Sequence, residues 1–596
     1  MPNSIISKSI DKRRLKGADK DMAGKKSVKS DGVSIVLCGQ AGMGIQTVEG
    51  ILTRMLKLSG YNVFATKEYM SRVRGGNNST QIRVCSRPVS AYVNRMDYLI
   101  PLNKGAIDHV RDRISADTVV IGESELLADE ARSGPFRFVD LPFTKIATDL
   151  GNKVYSNVVA VGVLAGLLGM KLADICEYVK QSFAAKAADV VQKNIQAAEA
   201  GFRLAEELAR REKISINISP DAGVKDQILP SGGDAIGLGA IAGGCNFIAS
   251  YPMTPSTPVL VFLAKYGRDF GIIAEQAEDE IAAMNMAIGA WYAGARAMVS
   301  TSGGGFALMV EGVSLAGMLE SPMVIHLGQR PAPATGLPTR TEQADIELAL
   351  YAGHGEFPRI LFAPGTLEQA FYLTARAFNL ADKLQMPVFV LSDQYLVDSY
   401  YNIPAFDLSN VKVEKYIVKT AADYRRYEMT ENGISPRGVP GFGQGLVGVD
   451  SDEHDAEGHI TEDLQLRTRM VDKRLRKLES AGKEVVPPEL YPKREYQNLV
   501  VCWGSTYPVV KEAIELLGRK DTSLLHYGQI YPLHPRTADF LAKAGKVVIV
   551  EGNATAQFAK LIKLHAGFEI RDRILKYNGL QFSVEELAEA LKKILK

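Results

Sequence analysis

Cysteine is scarce and scattered. The 596-residue chain has five, Cys38, Cys85, Cys176, Cys245 and Cys502. No two stand at C-x-x-C spacing, which excludes a local zinc or iron–sulfur ligand set within this chain. Nor do they form the framework of a secreted disulfide scaffold, so a reducing cytoplasm and structural thiols are expected. Net charge is nearly absent as well: Lys plus Arg is 70 against Asp plus Glu at 68. That balance argues against a dedicated nucleic-acid binder and against wholesale disorder. No apolar run is long enough for a bilayer. The longest, Val158 to Met170, holds three glycines and falls short of the ~20 residues a span needs. It reads as a buried, closely packed helix, and no membrane partner is expected. Residues 1–31 lack the apolar region of a secretory signal and are rich in Lys, Ser and Asp; the expectation is a disordered, solvated tail.

What is present is a large soluble chain, 46% hydrophobic and 23% charged, long enough for three or four domains of ~150 residues. A multidomain α/β architecture is expected. The first block, 32–215, opens with the apolar run Val33 to Leu37, the turn Gly39-Gln40-Ala41-Gly42-Met43-Gly44 and a helical pattern from Ile45 to Leu58. Strand, glycine turn and helix begin a doubly wound unit. A linker over 216–230 leads to a second block, 231–407, where small-residue helices alternate with strand candidates at Asn246 to Ala249, Gly271 to Ala274, Ala297 to Thr301, Met323 to Leu327, Arg359 to Ala363 and Met386 to Leu391. This rhythm predicts a parallel sheet. Residues 408–496 are charged and rich in Pro and Gly, an extended connector with one charged helix over Arg467 to Glu479. The α/β rhythm resumes over 497–596.

Several segments could carry chemistry. The G-x-x-G-x-G turn at Gly39, Gly42 and Gly44 could present backbone N–H groups to a phosphate, or serve only as a tight βα turn. Its spacing differs from the G-x-G-x-x-G dinucleotide fingerprint, which disfavours a nucleotide-dependent dehydrogenase. The loop Arg72 to Ser79 fits an anion, a partner or a plain turn. Tyr251-Pro252-Met253-Thr254-Pro255-Ser256-Thr257-Pro258 is the most specific signal. Its three prolines preset the backbone and hold the Thr254, Ser256 and Thr257 hydroxyls at the C-terminal end of a strand, where ligands bind in open α/β sheets. A simple helix start capped by Ser256 or Thr257 is the plain alternative. Glu280 enters an apolar helix and, if buried, needs a partner. Ser300 to Gly305 forms a hydroxyl–glycine turn, and Arg330 ends a strand. His454 and His459 lie in an acidic run, read as a solvated loop rather than a metal site.

Taken together, these residues resemble the α subunit of the 2-oxoacid:ferredoxin oxidoreductases. Tyr251 to Pro258 is similar to that family's Tyr-Pro-Ile-Thr-Pro-Ser-Thr-Pro motif, with Met253 in place of Ile. Glu275 to Gly305 resembles its pyrimidine-binding domain. Pro331 to Thr339, Glu342 to Asp345 and His354 to Arg359 continue the likeness. Gly39 to Gly44 and Arg74 to Gly76 resemble the γ subunit, here fused ahead of α. His526 to Leu533 and Val550 to Asn553 resemble turns of its transketolase C-terminal-like domain, where a packing role is expected.

The resemblance implies a division of labour. Glu280 corresponds to the glutamate at the aminopyrimidine of thiamine diphosphate, where a carboxyl proton favours the imino tautomer that takes the thiazolium proton. Thr254 corresponds to the threonine beside the substrate and Arg330 to the arginine gripping the 2-oxoacid carboxylate. Arg340 is a candidate for a second substrate carboxylate by position only. The sole Gly-Asp, Gly233-Asp234, is followed by Ala235, so the magnesium–diphosphate half of the site is assigned to a β subunit. The same subunit would carry the [4Fe–4S] cluster. The implied reaction is oxidative decarboxylation of a 2-oxoacid, with CoA as acyl acceptor and ferredoxin as electron acceptor, in a dimer of αβ heterodimers. The γ–α order suits 2-oxoglutarate; pyruvate, a branched-chain 2-oxoacid, or a non-catalytic assembly or nucleotide-binding subunit remain the alternatives.

Overall fold

A computed structural model describes residues 32–40, 45–70 and 76–596. The tail over 1–31, Gly42, Gly44 and the Arg72 to Gly75 part of the polar loop lie outside the described residues.

Three sheets follow one another along the chain, each flanked by helices. The first runs in the order Tyr400–Tyr401, Asn62–Glu68, Asn77–Cys85, Gly32–Gln40, Tyr98–Pro101, Val119–Gly122, Arg137–Asp140. The last four strands are parallel. Asn77–Cys85 lies antiparallel to both of its neighbours, so the unit is mixed rather than wholly parallel. On its helical side, Ser156–Leu167 packs against Ala188–Glu212. Their glycines permit a close approach. A Cβ on Gly162 would stand 2.2 Å from the Ala198 carbonyl oxygen, and one on Gly201 would stand 2.1 Å from that of Val159. The apolar, glycine-bearing run is therefore a core helix, and no helix among the described residues is long and apolar enough to cross a membrane.

The second sheet has the order Gln529–Tyr531, Ile360–Phe362, Pro387–Asp393, Met323–Gln329, Ala297–Ser302, Phe247–Ser250, Ile273–Gln276. All but the first strand are parallel. The expected strand Gly271 to Ala274 begins two residues later than its apolar pattern suggests. Gly271 instead ends the preceding helix in the left-handed region (φ 65°), a conformation glycine adopts at no steric cost. Inside the sheet His326 is wholly buried and bridges neighbouring strands, Nδ1 to Ser300 Oγ at 2.8 Å and Nε2 to Ser392 Oγ at 2.7 Å. Burial lowers its pKa to about 3, so it is a neutral cross-link. The third sheet runs Glu489–Tyr491, Thr522–Tyr527, Asn498–Trp503, Lys546–Glu551, Asp572–Leu575, with only its first strand antiparallel.

The sheets exchange edges. Tyr400–Tyr401 follows the second sheet's last parallel strand in sequence but pairs with Asn62–Glu68 of the first. Gln529–Tyr531 follows a strand of the third sheet but extends the second. One continuous apolar core joins Trp291 and Phe389 to Trp503, Tyr527 and Phe558. The segment 216–230 is also pinned, with Asp221 N donating to Gly60 O at 2.6 Å.

Between the second and third sheets the chain is largely irregular until the helix Leu464–Lys483. His454 does not sit in a solvated loop. It is fully buried, packs at a tilt against Tyr427 with centroids 3.9 Å apart, and its Nδ1 meets Asp452 O at 2.9 Å. Its ring satisfies a packing role; His459 remains exposed beside Asp455. No cluster of three or more metal-ligating side chains occurs among the described residues.

Candidate active site

Three neighbouring strands of the second sheet, Phe247–Ser250, Ala297–Ser302 and Met323–Gln329, end on the same side because they are parallel. The loop after the first is Tyr251 to Pro258. It closes on itself: Ser256 N and Oγ both donate to Met253 O, at 2.9 and 2.7 Å. Ser256 thus spends its hydroxyl inside the loop, and no side chain caps the helix Thr257–Phe270, which starts with Pro258 in its first turn. Of the three hydroxyl residues expected to act together, Ser256 is therefore withdrawn. The loop lies against the end of Met323–Gln329, where a Cβ on Gly328 would meet the Pro255 ring at 3.2 Å. Arg330 Nη1 donates to Thr254 O at 2.6 Å. The proline loop and the arginine are brought together.

Glu280 opens the helix Glu280–Tyr292, capped by Asp279, whose carboxylate accepts from Ala282 N at 2.7 Å. Glu280 is 3% exposed, and its Oε1 has no hydrogen-bond partner. A buried carboxyl oxygen without a hydrogen-bond partner is costly, so the arrangement calls for a partner from outside the chain. The turn Ser302 to Gly305 lies directly against it. A Cβ on Gly305 would fall 2.5 Å from Glu280 Oε1; only glycine leaves that carboxylate its place. Ser302 Oγ is likewise buried without a partner.

Residues to which the sequence assigns no role, Gln329 and the acids of the Glu342 to Asp345 run, complete the floor. Gln329 Oε1 accepts from Asp345 N at 3.0 Å, and Gln329 Nε2 donates to Ser392 O at 3.1 Å. Asp345 lies over Gly303, where a Cβ would stand 2.6 Å from its Oδ2. Burial raises the Asp345 carboxyl to about 6, against the pull of Arg330, and raises Glu342 to about 7 with Asp345 adding to the effect. Burial also lowers Arg330 below the usual guanidinium value, with Asp345 opposing. A buried cation next to carboxyls that resist ionisation suits recognition of an incoming anion. Both acids lie on the loop after Arg330, and the fold brings the Asp345 carboxyl within electrostatic reach of the arginine on one side and of Glu342 on the other.

Two candidates stand apart. Arg340 Nη1 is engaged by Glu68 Oε1 of the first sheet, so its charge holds two units together. Gly39 ends the strand Gly32–Gln40, and its companions Gly42 and Gly44 lie outside the described residues. The third sheet supports the site from behind through Gln343. Gln343 N donates to Gly552 O at 2.7 Å, Gly552 N to Gln343 Oε1 at 3.0 Å, and Asn553 Nδ2 to Gln343 O at 3.1 Å. The turn Val550 to Asn553 thereby fixes the loop bearing Asp345.

Two family models match. One, described as pyruvate flavodoxin/ferredoxin oxidoreductase, thiamine diphosphate-binding, covers residues 238–473. The other, pyruvate ferredoxin/flavodoxin oxidoreductase, covers 34–204. A 2-oxoacid:ferredoxin oxidoreductase subunit alpha of Sulfolobus is 31% identical over 95% of this chain and 97% of its own length. The chain belongs to the 2-oxoacid:ferredoxin oxidoreductase family, as an alpha subunit. Within that family, a 2-oxoglutarate synthase subunit KorA of Archaeoglobus fulgidus is 35% identical over 55% of the chain and 88% of its own length. Among solved structures, a 2-oxoglutarate:ferredoxin oxidoreductase from Magnetococcus marinus, with 2-oxoglutarate, coenzyme A and succinyl-CoA bound, is 28% identical. It superposes with a TM-score of 0.89, covering 95% of this chain and 100% of that one. The oxidoreductase family membership extends through all three sheets.

Proposed function

We propose that this alpha subunit works with a β subunit to decarboxylate 2-oxoglutarate oxidatively, forming succinyl-CoA and passing electrons to ferredoxin in the cytoplasm. The observation that carries the reading is the buried, partnerless Glu280 Oε1 against a glycine turn, an acid whose missing hydrogen-bond partner the ring nitrogen of an aminopyrimidine would supply. The residues present fit thiamine diphosphate on that ground. When bound, the cofactor supplies the electron sink that lets a 2-oxoacid lose carbon dioxide.

The chain's own residues then have distinct tasks. Glu280 holds or gives a proton at the pyrimidine ring nitrogen. Arg330, fixed by the Thr254 carbonyl, grips the carboxylate beside the keto group by a charge-assisted contact. Thr254 lines the same corner. Asp345 partly balances the Arg330 charge, and its carboxyl, raised to about 6, and that of Glu342, raised to about 7, are each ionised only in part near neutrality, so they weaken the pull of Arg330 on substrate less than two fully ionised carboxylates would. Arg340 can meet the far carboxylate of 2-oxoglutarate only by leaving Glu68. The β subunit is assigned magnesium and a [4Fe–4S] cluster, and the complex is a dimer of αβ heterodimers.

Preference for 2-oxoglutarate over pyruvate or branched 2-oxoacids rests on likeness to the Magnetococcus marinus enzyme along nearly the whole chain. The test is reduction of ferredoxin or a viologen by the purified αβ complex. CoA-dependent reduction with 2-oxoglutarate is expected; reduction with pyruvate alone would overturn the substrate assignment.

A further inference from the structure

The segment before and including the helix Leu464–Lys483 is fastened to the second sheet by buried ion pairs of one pattern. Asp382 accepts from Arg296 at 2.9 Å and from Arg437 at 2.5 Å. Glu320 lies between Lys473 at 2.7 Å and Lys477 at 2.5 Å. Within the segment itself, Glu453 is shared by Arg474, at 2.8 Å, and the half-exposed Arg467. In each case one carboxylate faces two cations. Arg426 adds another, and its hydrogen bonds go to neutral acceptors: Gln385 Oε1 at 2.8 Å, Glu320 O at 2.9 Å and Leu319 O at 3.2 Å.

Most of these groups are withdrawn from water; Arg426 is 4% exposed and Arg437 is 3%. Buried charge without a counter-charge is strongly unfavourable. Burial lowers the Lys477 amine to about 7 even with Glu320 beside it. The excess is positive, and it borders a cavity. Arg426, Arg437, Ser321, Trp291, Ile288 and Val449 line a cavity of about 30 Å³, room for one small ion. Arg437 Nε is buried with no hydrogen-bond partner, and its guanidinium lies over the Trp291 ring at 5.6 Å. The walls are mainly apolar, with too few donors for a phosphate or a nucleotide. A weakly hydrated ion loses least on entering such a space.

We propose that this cavity binds a small monovalent anion of halide size between Arg426 and Arg437, completing the charge balance that seats the 408–483 segment on the second sheet. The ligand is chloride-like, and it is distinct from the 2-oxoacid, whose carboxylate is met by Arg330.

The site has a built-in reporter. The chain's two tryptophans, Trp291 and Trp503, are both fully buried, so bromide in bulk solvent quenches them little, whereas bromide in this cavity touches Trp291. The experiment titrates the αβ complex with sodium bromide against sodium gluconate at constant ionic strength. Saturable quenching with a parallel rise in melting temperature is expected. Val449→Phe, which fills the cavity without altering a charge, is expected to raise the half-saturating bromide by about tenfold or more. Crystals grown in bromide are expected to show an anomalous peak beside Arg437, a readout that does not depend on the variant folding. Quenching that stays linear and weak, a Val449→Phe complex that titrates like wild type, or no anomalous peak at Arg437 would each overturn the proposal.

Discussion

Gly305→Ala is the sharpest probe of the site. The added methyl would stand 2.3 Å from Thr301 Oγ1, 2.5 Å from Glu280 Oε1 and 2.8 Å from Glu280 Cγ. Ordinary contacts begin at about 3.4 Å, so the carboxylate has to move by about 0.9 Å and the Thr301 hydroxyl by about 1.1 Å, or the turn has to shift as far. Neither neighbour has space to yield, since Thr301 and Glu280 are both buried. Overpacking of this kind costs about 1–3 kcal/mol. If the strain is relieved by turning Glu280 away, the competent rotamer falls by about 5- to 150-fold. The assay is viologen reduction by the αβ complex, with thiamine diphosphate half-saturation measured in parallel and the melting temperature as a stability check. Gly304→Ala is the matched control for folding, because its nearest neighbour is the Ala334 carbonyl oxygen at an ordinary 3.5 Å. A Gly305→Ala complex with wild-type turnover and unchanged cofactor half-saturation would refute the placement of Glu280 in the mechanism.

Other consequences can be checked separately. Glu280→Gln keeps the side-chain shape and is expected to lower turnover by about 10²- to 10⁴-fold while size-exclusion chromatography shows an unchanged complex. Arg330→Lys loses the planar fork and is expected to raise KM for the 2-oxoacid about tenfold or more, read from initial rates. Asp382→Asn leaves Arg296 and Arg437 without their shared carboxylate and is expected to cost about 3–5 kcal/mol in denaturant unfolding. Glu342 and Asp345 have raised pKa values in the folded chain, so the folded state holds more protons than the unfolded one. Their contribution to stability is greatest in acid and is lost as pH rises from the usual carboxylate range through about 7. Wild type is therefore expected to lose stability relative to Glu342→Gln as pH rises across that window in urea midpoints; a wild type that gains on the variant with rising pH would contradict the assignment.

The site was legible where local chemistry is unusual. Three prolines in the Thr254 loop, a glutamate opening an apolar helix and an arginine ending a strand are visible in a linear pattern because each violates what packing alone would choose. The chemistry of the Glu342 to Asp345 run was not, because it comes from burial, with Arg330 acting on Asp345 and Asp345 on Glu342. The strands Tyr400–Tyr401 and Gln529–Tyr531 escape notice for another reason: two or three residues carry no periodicity, and their partners lie hundreds of residues away or in another sheet. The helix Leu464–Lys483 is as charged as its sequence reads, yet Lys473 and Lys477 are buried. Their partner, Glu320, is separated from Lys473 by 153 residues, beyond the reach of any helical pattern. His454 is hidden in the same way, since the aromatic face that covers it belongs to Tyr427.

The exchanged edges bear on how the chain would respond to being cut. A single nick between residues 213 and 229 severs the covalent path from the first sheet to the second, but not their union. Tyr400–Tyr401 would still complete the first sheet, the Asn402 side chain would still accept from Val63 N at 2.6 Å, and Arg83 would still clasp Glu512 with a pair of contacts at 2.9 and 2.7 Å. The two pieces would remain a noncovalent complex, and either one prepared alone would expose an unpaired strand edge ready to capture its missing half.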